Sequence, residues 1–286
     1  MNKPFVEKNH TLEKDGFVHL RNVFTAVEVQ KLRSSVEKIY RSKPQTSGDN
    51  DYIKWDIFNK NADLRFVLFN TFIINFLKKT LGDDFVLLND MSMLKSSFKG
   101  WHKDTSNFEF AGNRSHYEKD FLLLNVIIYL QENTVQYGGG LDALPGSHLS
   151  GYDELVTRLP PSGKKNFFYY LKRIKPKLRI LYLDFFEKNF GIKIDLHKKS
   201  KYTIPNKIGD VVIFDQRLAH KASWPKNTKL TPDKFLINFS VSANNVHART
   251  FMNFLKQRKD FKHLDNHVFS DDFLAELSRN NIKVCS

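Results

Sequence analysis

The fold of this 286-residue chain is decided by "FLLLNVIIYL" (residues 121–130) and the turn-rich "GGGLDALPGSH" (residues 138–148) that follows it. The first is an apolar run with the length of a buried strand, and glycine and proline interrupt the second. Similar β-like runs occupy residues 84–98, 203–215 and 234–244. Strands joined by turns, without regularly alternating helices, predict an antiparallel sandwich or barrel rather than a parallel sheet.

Helices are predicted on both sides of this β region. "GFVHL" (residues 16–20) has the pattern of a short strand, and the segment after it begins a helix. Thr25 and Glu28 have the spacing of a capping box, in which each residue satisfies a backbone N–H of the other. Residues 62–80 have a helical pattern, and the C-terminal part from residue 246 returns to helix. The fold class is therefore mainly β with flanking helices.

The segment 151–203 differs from its surroundings in charge and periodicity. It carries 13 Lys or Arg against 5 Asp or Glu, with ten aromatic residues interleaved. Two helical pieces separated at Pro176 are predicted, because proline interrupts a helix. We interpret the segment as a helical insertion between two strands of one domain. The predicted parts of this single domain, 1–286, are an N-terminal strand and helices (1–84), a β core (85–150 and 204–245), the insertion (151–203) and C-terminal helices (246–286).

The composition of the chain limits where the protein can be located and which partners it can attract. The single cysteine, Cys285, excludes an internal disulfide framework and a thiolate zinc cluster. No apolar run is long enough to span a bilayer, and the N-terminal residues do not resemble a signal peptide. These features predict a cytoplasmic location. The net charge of +14 predicts attraction to something negative, which nucleic acid, an anionic membrane surface or an anionic small molecule would all satisfy. Lys-rich usage from an AT-rich genome explains the charge equally well.

The stretch "GWHKDTSN" (residues 100–107) supplies the first candidate metal ligands, His102 and Asp104. On a strand, residues two apart point the same way, so both can ligate from one element. A non-haem Fe(II) site uses two His and one carboxylate on one face and leaves the other face open for a co-substrate and dioxygen. His220 is the candidate third ligand, because it follows the apolar strand predicted at residues 211–214.

A second His-x-Asp pair, His263 and Asp265, lies in the charged stretch "RKDFKHLDNH" (residues 258–267). The pattern there is helical, and residues two apart do not share a helix face. We therefore expect this pair to lie at a solvated helix end.

Four blocks in this order resemble the phytanoyl-CoA dioxygenase-like (PhyH) group of Fe(II)/2-oxoglutarate oxygenases. "LEKDGFVHLRNVFTAVEVQKLR" (residues 12–33) resembles the opening strand and helix of the family, and "WHKDTS" (residues 101–106) its first metal motif. "GGGLDALPGSH" (residues 138–148) is similar to its "PGSH" turn, in which we expect Gly146, Ser147 and His148 to be structural. "GDVVIFDQRLAHKAS" (residues 209–223) resembles the strand that carries its second His.

The resemblance implies a double-stranded β-helix (jelly roll, cupin-like) with Fe(II) held by His102, Asp104 and His220. It also implies that 2-oxoglutarate chelates the iron through its 2-oxo acid end. In the family an Arg somewhat more than ten residues past the second His usually holds the far carboxylate. The sequence has no Arg there, and the best fit is Lys234, which supplies the charge but not the bidentate geometry. Lys95 and Asn125 are further candidate cofactor contacts.

The chemistry implied is hydroxylation of a small-molecule substrate by dioxygen, with release of succinate and carbon dioxide. Asp104 favours this outcome, because related halogenases have a small residue in place of the carboxylate ligand. The basic insertion favours an anionic metabolite, and we interpret it as a lid or a platform for the substrate. An amphipathic helical pair that packs on the barrel is the equal alternative. The candidate substrate contacts are Lys164, Lys165, Lys172, Arg173 and Lys175.

Two other functions stay open at this point. A catalytically inactive jelly-roll binding module is supported by the missing Arg. An oxygenase acting on nucleic acid would explain the charge and the interleaved aromatic residues, although the sequence contains no recognised nucleic-acid-binding motif.

Overall fold

The computed structural model of the chain describes residues 3–42, 44, 49–96, 101–111, 113, 118–134, 136–149, 201–225, 233–264 and 267–285. The strands assigned within these ranges are β1 (Phe5–Val6), β2 (Phe17–Arg21), β3 (Ile53–Trp55), β4 (Val86–Lys95), β5 (Leu123–Tyr129), β6 (Leu141–Ala143), β7 (Tyr202–Ile204), β8 (Val211–Asp215), β9 (His220–Ala222), β10 (Phe235–Ser242) and β11 (Lys283–Val284). The helices are α1 (Leu12–Asp15), α2 (Ala26–Arg41), α3 (Ile57–Lys60), α4 (Thr71–Leu81), α5 (Ser106–Phe110), α6 (Val246–Lys256) and α7 (Asp271–Arg279), with 3-10 helices at Ala62–Val67 and Lys259–Leu264.

The strands form one large and one small sheet. The large sheet has the order β1-β2-β8-β5-β10-β4-β11, with β3 paired to β4, and the small sheet has the order β7-β6-β9. His102 extends the small sheet through an antiparallel bridge to His220 on β9. From β4 onwards the chain passes repeatedly between the two sheets, so that β4, β5, β8 and β10 lie in the large sheet, while His102, β6, β7 and β9 lie in the small one. This alternation is a double-stranded β-helix, and it confirms the predicted jelly roll.

The large sheet is covered on both faces. On β10, Phe235, Ile237 and Phe239 belong to the same buried apolar cluster as the inner face of α2. Leu236, on the opposite face, packs against a second cluster that includes Leu141 of the small sheet. Because successive side chains of a strand point to opposite faces, Lys234, Leu236, Asn238 and Ser240 share the face that looks toward the small sheet. A third cluster joins α5 and α6 to one end of β4 and β5.

The N-terminal helix prediction is confirmed in detail. The Thr25 hydroxyl accepts from the backbone N–H of Glu28, and the Glu28 carboxylate accepts from the backbone N–H of Thr25 at 2.7 Å. This capping box begins α2, whose apolar residues Val29, Leu32 and Val36 lie on one face and pack on the sheet.

Several boundaries differ from the sequence predictions. The helical region 62–80 is broken into a 3-10 helix and α4, because the Asn70 side chain accepts from the N–H groups of Phe72 and Ile73 and starts a new helix there. The N-terminal part adds β1, β2 and β3 to the large sheet, and the C-terminal part adds β11 beside its helices. β7 begins at Tyr202, within the range predicted for the insertion, and residues 151–200 of that predicted insertion lie outside the described residues.

The prediction of a solvated helix end at His263 was wrong. Its side chain is buried, and its ring stacks on the indole of Trp55 with 4.3 Å between ring centroids. The segment is a 3-10 helix, so the helical pattern was correct while its exposure was not. Asp265 lies outside the described residues.

No helix among the described residues is long and apolar enough to cross a membrane.

Candidate metal centre

The three predicted ligands meet between the two sheets, at the end of the barrel where His102 bridges β9. The backbone N–H of His102 donates to the carbonyl of His220 at 3.0 Å, and the reverse bond measures 2.9 Å. The imidazole ring centroids lie 4.3 Å apart. One ligand atom from each of His102, Asp104 and His220 lies within 4.8 Å of the other two.

Asp104 reaches this cluster from a turn, not from a strand as the His-x-Asp spacing predicted. The regular β pairing ends at His102, and residues 103–105 lead into α5. The backbone N–H of Asp104 donates to the carbonyl of Gln216 at 3.0 Å, and the N–H of Thr105 donates to the same carbonyl at 3.4 Å. Gln216, just after β8, therefore holds the turn that presents the carboxylate.

The separations between ligand atoms fit a single first-row metal ion. With metal–ligand bonds of about 2.1 Å, two ligand atoms lie about 3 Å apart at a right angle and about 4.2 Å apart on opposite sides. His102 Nε2 lies 3.5 Å from Asp104 Oδ1, and His220 Nε2 lies 3.9 Å from Asp104 Oδ2. The His102 and Asp104 side chains are partly exposed while that of His220 is buried, so the cluster is accessible from one side.

A hydrogen bond fixes the orientation of the His220 ring. Its Nδ1 lies 2.9 Å from the carbonyl oxygen of Leu218, which can only accept, so Nδ1 carries the proton. The lone pair of the neutral ring is then on Nε2, the atom that faces Asp104. A metal-binding His commonly has such a second partner, which sets both its tautomer and its direction.

Asn125 lies directly behind the carboxylate. This residue, on β5, donates from Nδ2 to Asp104 Oδ2 at 2.6 Å. Its own Oδ1 accepts from Gln216 Nε2 at 3.0 Å and from Ser240 Oγ at 2.6 Å. The sequence prediction placed Asn125 next to the cofactor, and the structure places it against the candidate metal ligand Asp104.

Lys234 occupies the position from which a cation can face the barrel interior. It immediately precedes β10, and its side chain lies against Gly139, where an added Cβ would be 3.0 Å from Lys234 Cγ. Its Nζ donates to the Glu132 carbonyl at 3.3 Å, and no carboxylate lies within ion-pair distance of it in the described part of the chain. Burial, followed by the nearby charge of Arg33, lowers the pKa of Lys234. A buried ammonium that lacks a carboxylate partner fits a site for an anionic group.

Lys95 is not brought to the metal centre. It pairs in register with Phe235, on the face of β4 that packs toward the helices. Its Nζ forms an ion pair with Asp233 at 3.0 Å and lies over the rings of Tyr40 and Phe235. The position does not support the prediction of a cofactor contact for Lys95.

The residues of the "PGSH" turn have structural contacts. Gly146 has a φ of +80°, a conformation that residues with a Cβ adopt at a cost. The Ser147 hydroxyl accepts from the N–H of Ala219 at 2.8 Å, and His148 Nε2 lies 3.1 Å from the Glu13 carbonyl. The turn thereby fixes the segment that leads to His220. The five predicted substrate contacts, at positions 164, 165, 172, 173 and 175, lie outside the described residues.

Glu118, Asp120 and His247 form a second cluster with a comparable spacing of ligand atoms. Here His247 Nε2 lies 3.0 Å from Asp120 Oδ1, and the Asp120 side chain is 71% exposed. This arrangement is a surface His–carboxylate pair, and its contact with His247 lowers the pKa of Asp120. Within the described ranges it has neither a backbone bridge between its members nor a buried polar network like that of the first cluster.

The family model described as Phytanoyl-CoA dioxygenase (PhyH) matches residues 12–229, which include all three candidate ligands. The chain belongs to this family. The match confirms the resemblance carried by the four sequence blocks, and it places the chain in the superfamily of Fe/2-oxoglutarate-dependent oxygenases. No curated protein matches the sequence.

Solved structures with the same fold hold the cofactors that the resemblance implies. The epimerase SnoN, in complex with Fe3+, alpha ketoglutarate and nogalamycin RO, is 14% identical with a TM-score of 0.52, and the match covers 84% of this chain and 86% of SnoN. HygX from Streptomyces hygroscopicus, with nickel and 2-oxoglutarate bound, is 15% identical with a TM-score of 0.52, and the match covers 82% of this chain and 85% of HygX. EctD from S. alaskensis, with bound Fe, is 17% identical with a TM-score of 0.51, and the match covers 81% of this chain and 74% of EctD. At these identities the likeness shows the fold.

The sequence analysis missed Gln216 and Ser240, which support Asp104 through Asn125. Each is a polar residue in or beside an apolar strand, within "VVIFDQ" (residues 211–216) and "FLINFSVS" (residues 235–242). A polar residue within an apolar strand was the available signal, since buried polar groups need hydrogen-bond partners. The sequence does not show which of these polar residues contact one another.

Proposed function

We propose that this protein is an Fe(II)- and 2-oxoglutarate-dependent hydroxylase of a small anionic metabolite. The observation that carries the proposal is the convergence of His102, Asp104 and His220 in a jelly roll of the PhyH family, with ligand atoms within 4.8 Å of one another. Two His and one carboxylate on one side of an ion are the ligand set of non-haem Fe(II) oxygenases.

The donor set also fits the cofactor pair. Two imidazole nitrogens and one carboxylate oxygen would hold the ion from one side and would leave its other side for a chelating 2-oxo acid and dioxygen. When bound, the iron and 2-oxoglutarate would supply the oxidising power, with succinate and carbon dioxide as co-products.

The chain's own residues have separate tasks in this proposal. His102, Asp104 and His220 hold the metal, and the Leu218 carbonyl keeps Nε2 of His220 directed at it. Lys234 holds the far carboxylate of 2-oxoglutarate at the start of β10. Its burial strengthens that charge interaction, because the surrounding dielectric constant is low. A Lys makes a less directional contact than Arg, so weaker co-substrate binding than an Arg anchor would give is part of the proposal.

The class of substrate rests on charge. The net charge is +14, and the basic segment 151–203 accounts for +8 of it, since 13 Lys or Arg oppose 5 Asp or Glu. A cationic segment attracts anionic molecules to the protein that carries it, and the attraction decreases as salt rises. We therefore propose a carboxylated or phosphorylated metabolite, with Lys164, Lys165, Lys172 and Arg173 as substrate contacts.

The first experiment is direct reconstitution. The purified protein is mixed anaerobically with Fe(II) and 2-oxoglutarate, the visible absorption of the metal–2-oxo acid chelate is recorded, and succinate is measured after oxygen is admitted. A visible band with slow succinate formation in the absence of substrate would support the proposal. A folded protein that binds iron but forms neither the band nor succinate would instead indicate a binding module, the function favoured by the missing Arg.

A second experiment tests the substrate class. Anionic and neutral metabolites are compared for stimulation of succinate release, and the product is analysed for an added hydroxyl oxygen. Stimulation by anions that weakens between low and moderate salt would support the basic segment as the recognition surface. Stimulation by nucleic acid alone would identify the other alternative, and an oxidised product without added oxygen would contradict hydroxylation.

A further inference from the structure

The side chain of Asn125 is held in a single orientation by its neighbours. Ser240 lies opposite it on β10, and Phe214 lies opposite it on β8, so Asn125 is at the centre of the large sheet. Its Oδ1 faces two donors, Gln216 Nε2 at 3.0 Å and Ser240 Oγ at 2.6 Å, and its Nδ2 faces the Asp104 carboxylate at 2.6 Å. Exchanging the amide oxygen and nitrogen would place donor against donor and acceptor against acceptor.

The partners of Asn125 are themselves connected. Gln216 Nε2 also donates to Ser240 Oγ at 3.1 Å. The Ser240 hydroxyl faces two acceptors, Asn125 Oδ1 at 2.6 Å and Asp90 Oδ2 at 3.2 Å, and the amide oxygen is the nearer one. The backbone carbonyl of Gln216 receives the N–H groups of Asp104 and Thr105. Gln216 therefore fixes the backbone of the metal-ligand turn directly, and it fixes the carboxylate of the same turn through Asn125.

This arrangement has a consequence for how Asp104 can bind a metal. The Nδ2 of Asn125 donates to Asp104 Oδ2, which lies 3.9 Å from His220 Nε2, while Oδ1 lies 3.5 Å from His102 Nε2. Each carboxylate oxygen thus faces a different candidate His ligand. Rotation of the carboxylate away from the two rings would break the hydrogen bond from Asn125.

We propose that Asn125 is a positioning residue that fixes the orientation of the Asp104 carboxylate as a metal ligand, and that Gln216 and Ser240 hold Asn125 for this purpose. The inference rests on the proposed metal site. It assigns Asn125 a role through Asp104 rather than a contact with the co-substrate. Partners that orient metal ligands typically contribute a factor of ~10–100 to metal affinity.

The test is an anaerobic titration of the protein with Co(II), without 2-oxoglutarate, together with the melting temperature of the metal-free protein. Asn125→Leu keeps the size of the side chain and removes its donor. Asn238→Leu is the matched control, since Asn238 lies on the same face of β10, two positions before Ser240. We expect Asn125→Leu to weaken Co(II) binding about 10- to 100-fold and Asn238→Leu to leave it within about twofold of wild type.

Ser240→Ala provides a second, milder variant if Asn125→Leu fails to fold. It removes one donor to Asn125 and keeps the other, so a loss of about threefold in Co(II) affinity is expected, as for one hydrogen bond. Co(II) affinity that stays at the wild-type value in the folded Asn125 and Ser240 variants would overturn the proposal, and a lower melting temperature alone would then assign both residues to the fold.

The outcome is separable from that of the proposed function. A wild-type protein that binds Co(II) but never releases succinate would contradict the oxygenase proposal, while the comparison of metal affinities would still decide the role of Asn125. A wild-type protein that binds no metal would overturn both.

Discussion

His102 and His220 are 118 positions apart in the chain, yet each donates its backbone N–H to the carbonyl of the other, at 3.0 and 2.9 Å. Two candidate metal ligands are thus fixed by one antiparallel bridge at the edge of the small sheet. Neither ligand can be placed unless β9 and the chain after β4 have both folded. Metal affinity and folding should therefore be coupled, as in other metal sites that do not exist in the unfolded chain.

A melting experiment tests this coupling. At a metal concentration about one hundred times Kd, binding to the native state alone contributes ~2.7 kcal/mol, which corresponds to a rise of about 5–10 °C for a domain of this size. We expect Co(II) to raise the melting temperature of wild type by about this amount and that of His102→Ala by much less. Each protein is compared with its own metal-free form, so any structural cost of the substitution cancels. An equal rise in both would contradict the assignment of His102.

The carboxylate ligand gives a prediction about turnover. Asp104→Ala removes one of three ligands and leaves the side chain of Asn125 without its acceptor, so we expect succinate formation to fall below detection at limiting Fe(II). Asp83→Ala, at an exposed position after α4, is the control and should keep wild-type turnover. Full activity of Asp104→Ala at limiting iron would show that Asp104 is not a ligand.

Lys234 gives a prediction about co-substrate affinity. Lys234→Met keeps the apolar stem and removes the charge, so we expect the KM for 2-oxoglutarate to rise at least about tenfold, the loss of a buried charge-assisted bond. Lys234→Arg should retain binding, and Lys207→Met, at an exposed position, should be neutral. An unchanged KM in Lys234→Met would mean that another residue binds the far carboxylate of 2-oxoglutarate.

The pH dependence of co-substrate binding follows from the pKa of the same residue. Burial lowers the pKa of Lys234, and only the protonated form attracts a carboxylate. The contribution of Lys234 to binding should therefore be fully present below its lowered pKa and be lost as pH rises through that pKa. Lys234→Arg should lose this alkaline decline, because Arg stays protonated. A decline that persists unchanged in Lys234→Arg would assign it to a different group.

The sequence singled out the candidate metal ligands that the structure brings together, because their residue types are uncommon and their strand context is recognisable. His220 was placed by the apolar strand before it, and His102 by its pairing with Asp104. The sequence pattern did not show on which face of β4 the side chain of Lys95 lies. β4 is buried on both faces, so "VLLNDMSMLK" (residues 86–95) shows no alternation that would assign its polar residues to the interior or to the helices.

His263 shows a different limit of sequence analysis. Its neighbours in the chain are charged, which is typical of an exposed helix, and its burial comes from Trp55, about 200 positions away. The residue pattern of a segment predicts the average exposure of its side chains. The burial of one ring against a residue distant in the sequence depends on the tertiary fold. The break before α4 is an intermediate case, since Asn70 is a recognisable cap inside a helical pattern.

The buried His263 ring predicts a pH-dependent stability. Burial lowers its pKa to about 4, and this effect outweighs the Asp56 carboxylate and the Asn89 backbone, which favour the charged form. In the unfolded chain the ring takes up a proton below about pH 6.5, whereas in the folded protein it does so only near pH 4. The stability linked to His263 is thus fully present above pH 6.5 and is lost as pH falls toward 4.

His263→Phe tests this contribution, because it keeps a ring stacked on Trp55 and removes the titrating group. Wild type should lose on the order of 3 kcal/mol of unfolding free energy through His263 between pH 6.5 and 4. Denaturant unfolding at several pH values should show a smaller decline for the variant. His267 and Asp56, which pair at 2.8 Å, are present in both proteins and so do not affect the difference. Parallel pH profiles would contradict the prediction.

Gly209 gives a prediction about the turn that begins β8 and so leads to His220. Its φ is +87°, and a Cβ at this position would collide with the carbonyl oxygen of Phe24, whose own N–H donates to the Gly209 carbonyl at 2.9 Å. Gly82 has a φ of +99°, but an added Cβ there would approach only Asp84 Oδ1, at 3.5 Å.

Gly82→Ala therefore measures backbone strain without a collision, and about 1 kcal/mol of destabilisation is expected. Gly209→Ala adds a clash with a hydrogen-bonded backbone that cannot move without breaking the turn, so we expect a loss of ~3 kcal/mol or more and a lower metal affinity. Equal losses in the two variants, measured by denaturant unfolding, would mean that the Phe24 backbone yields and that the turn does not control the approach to His220.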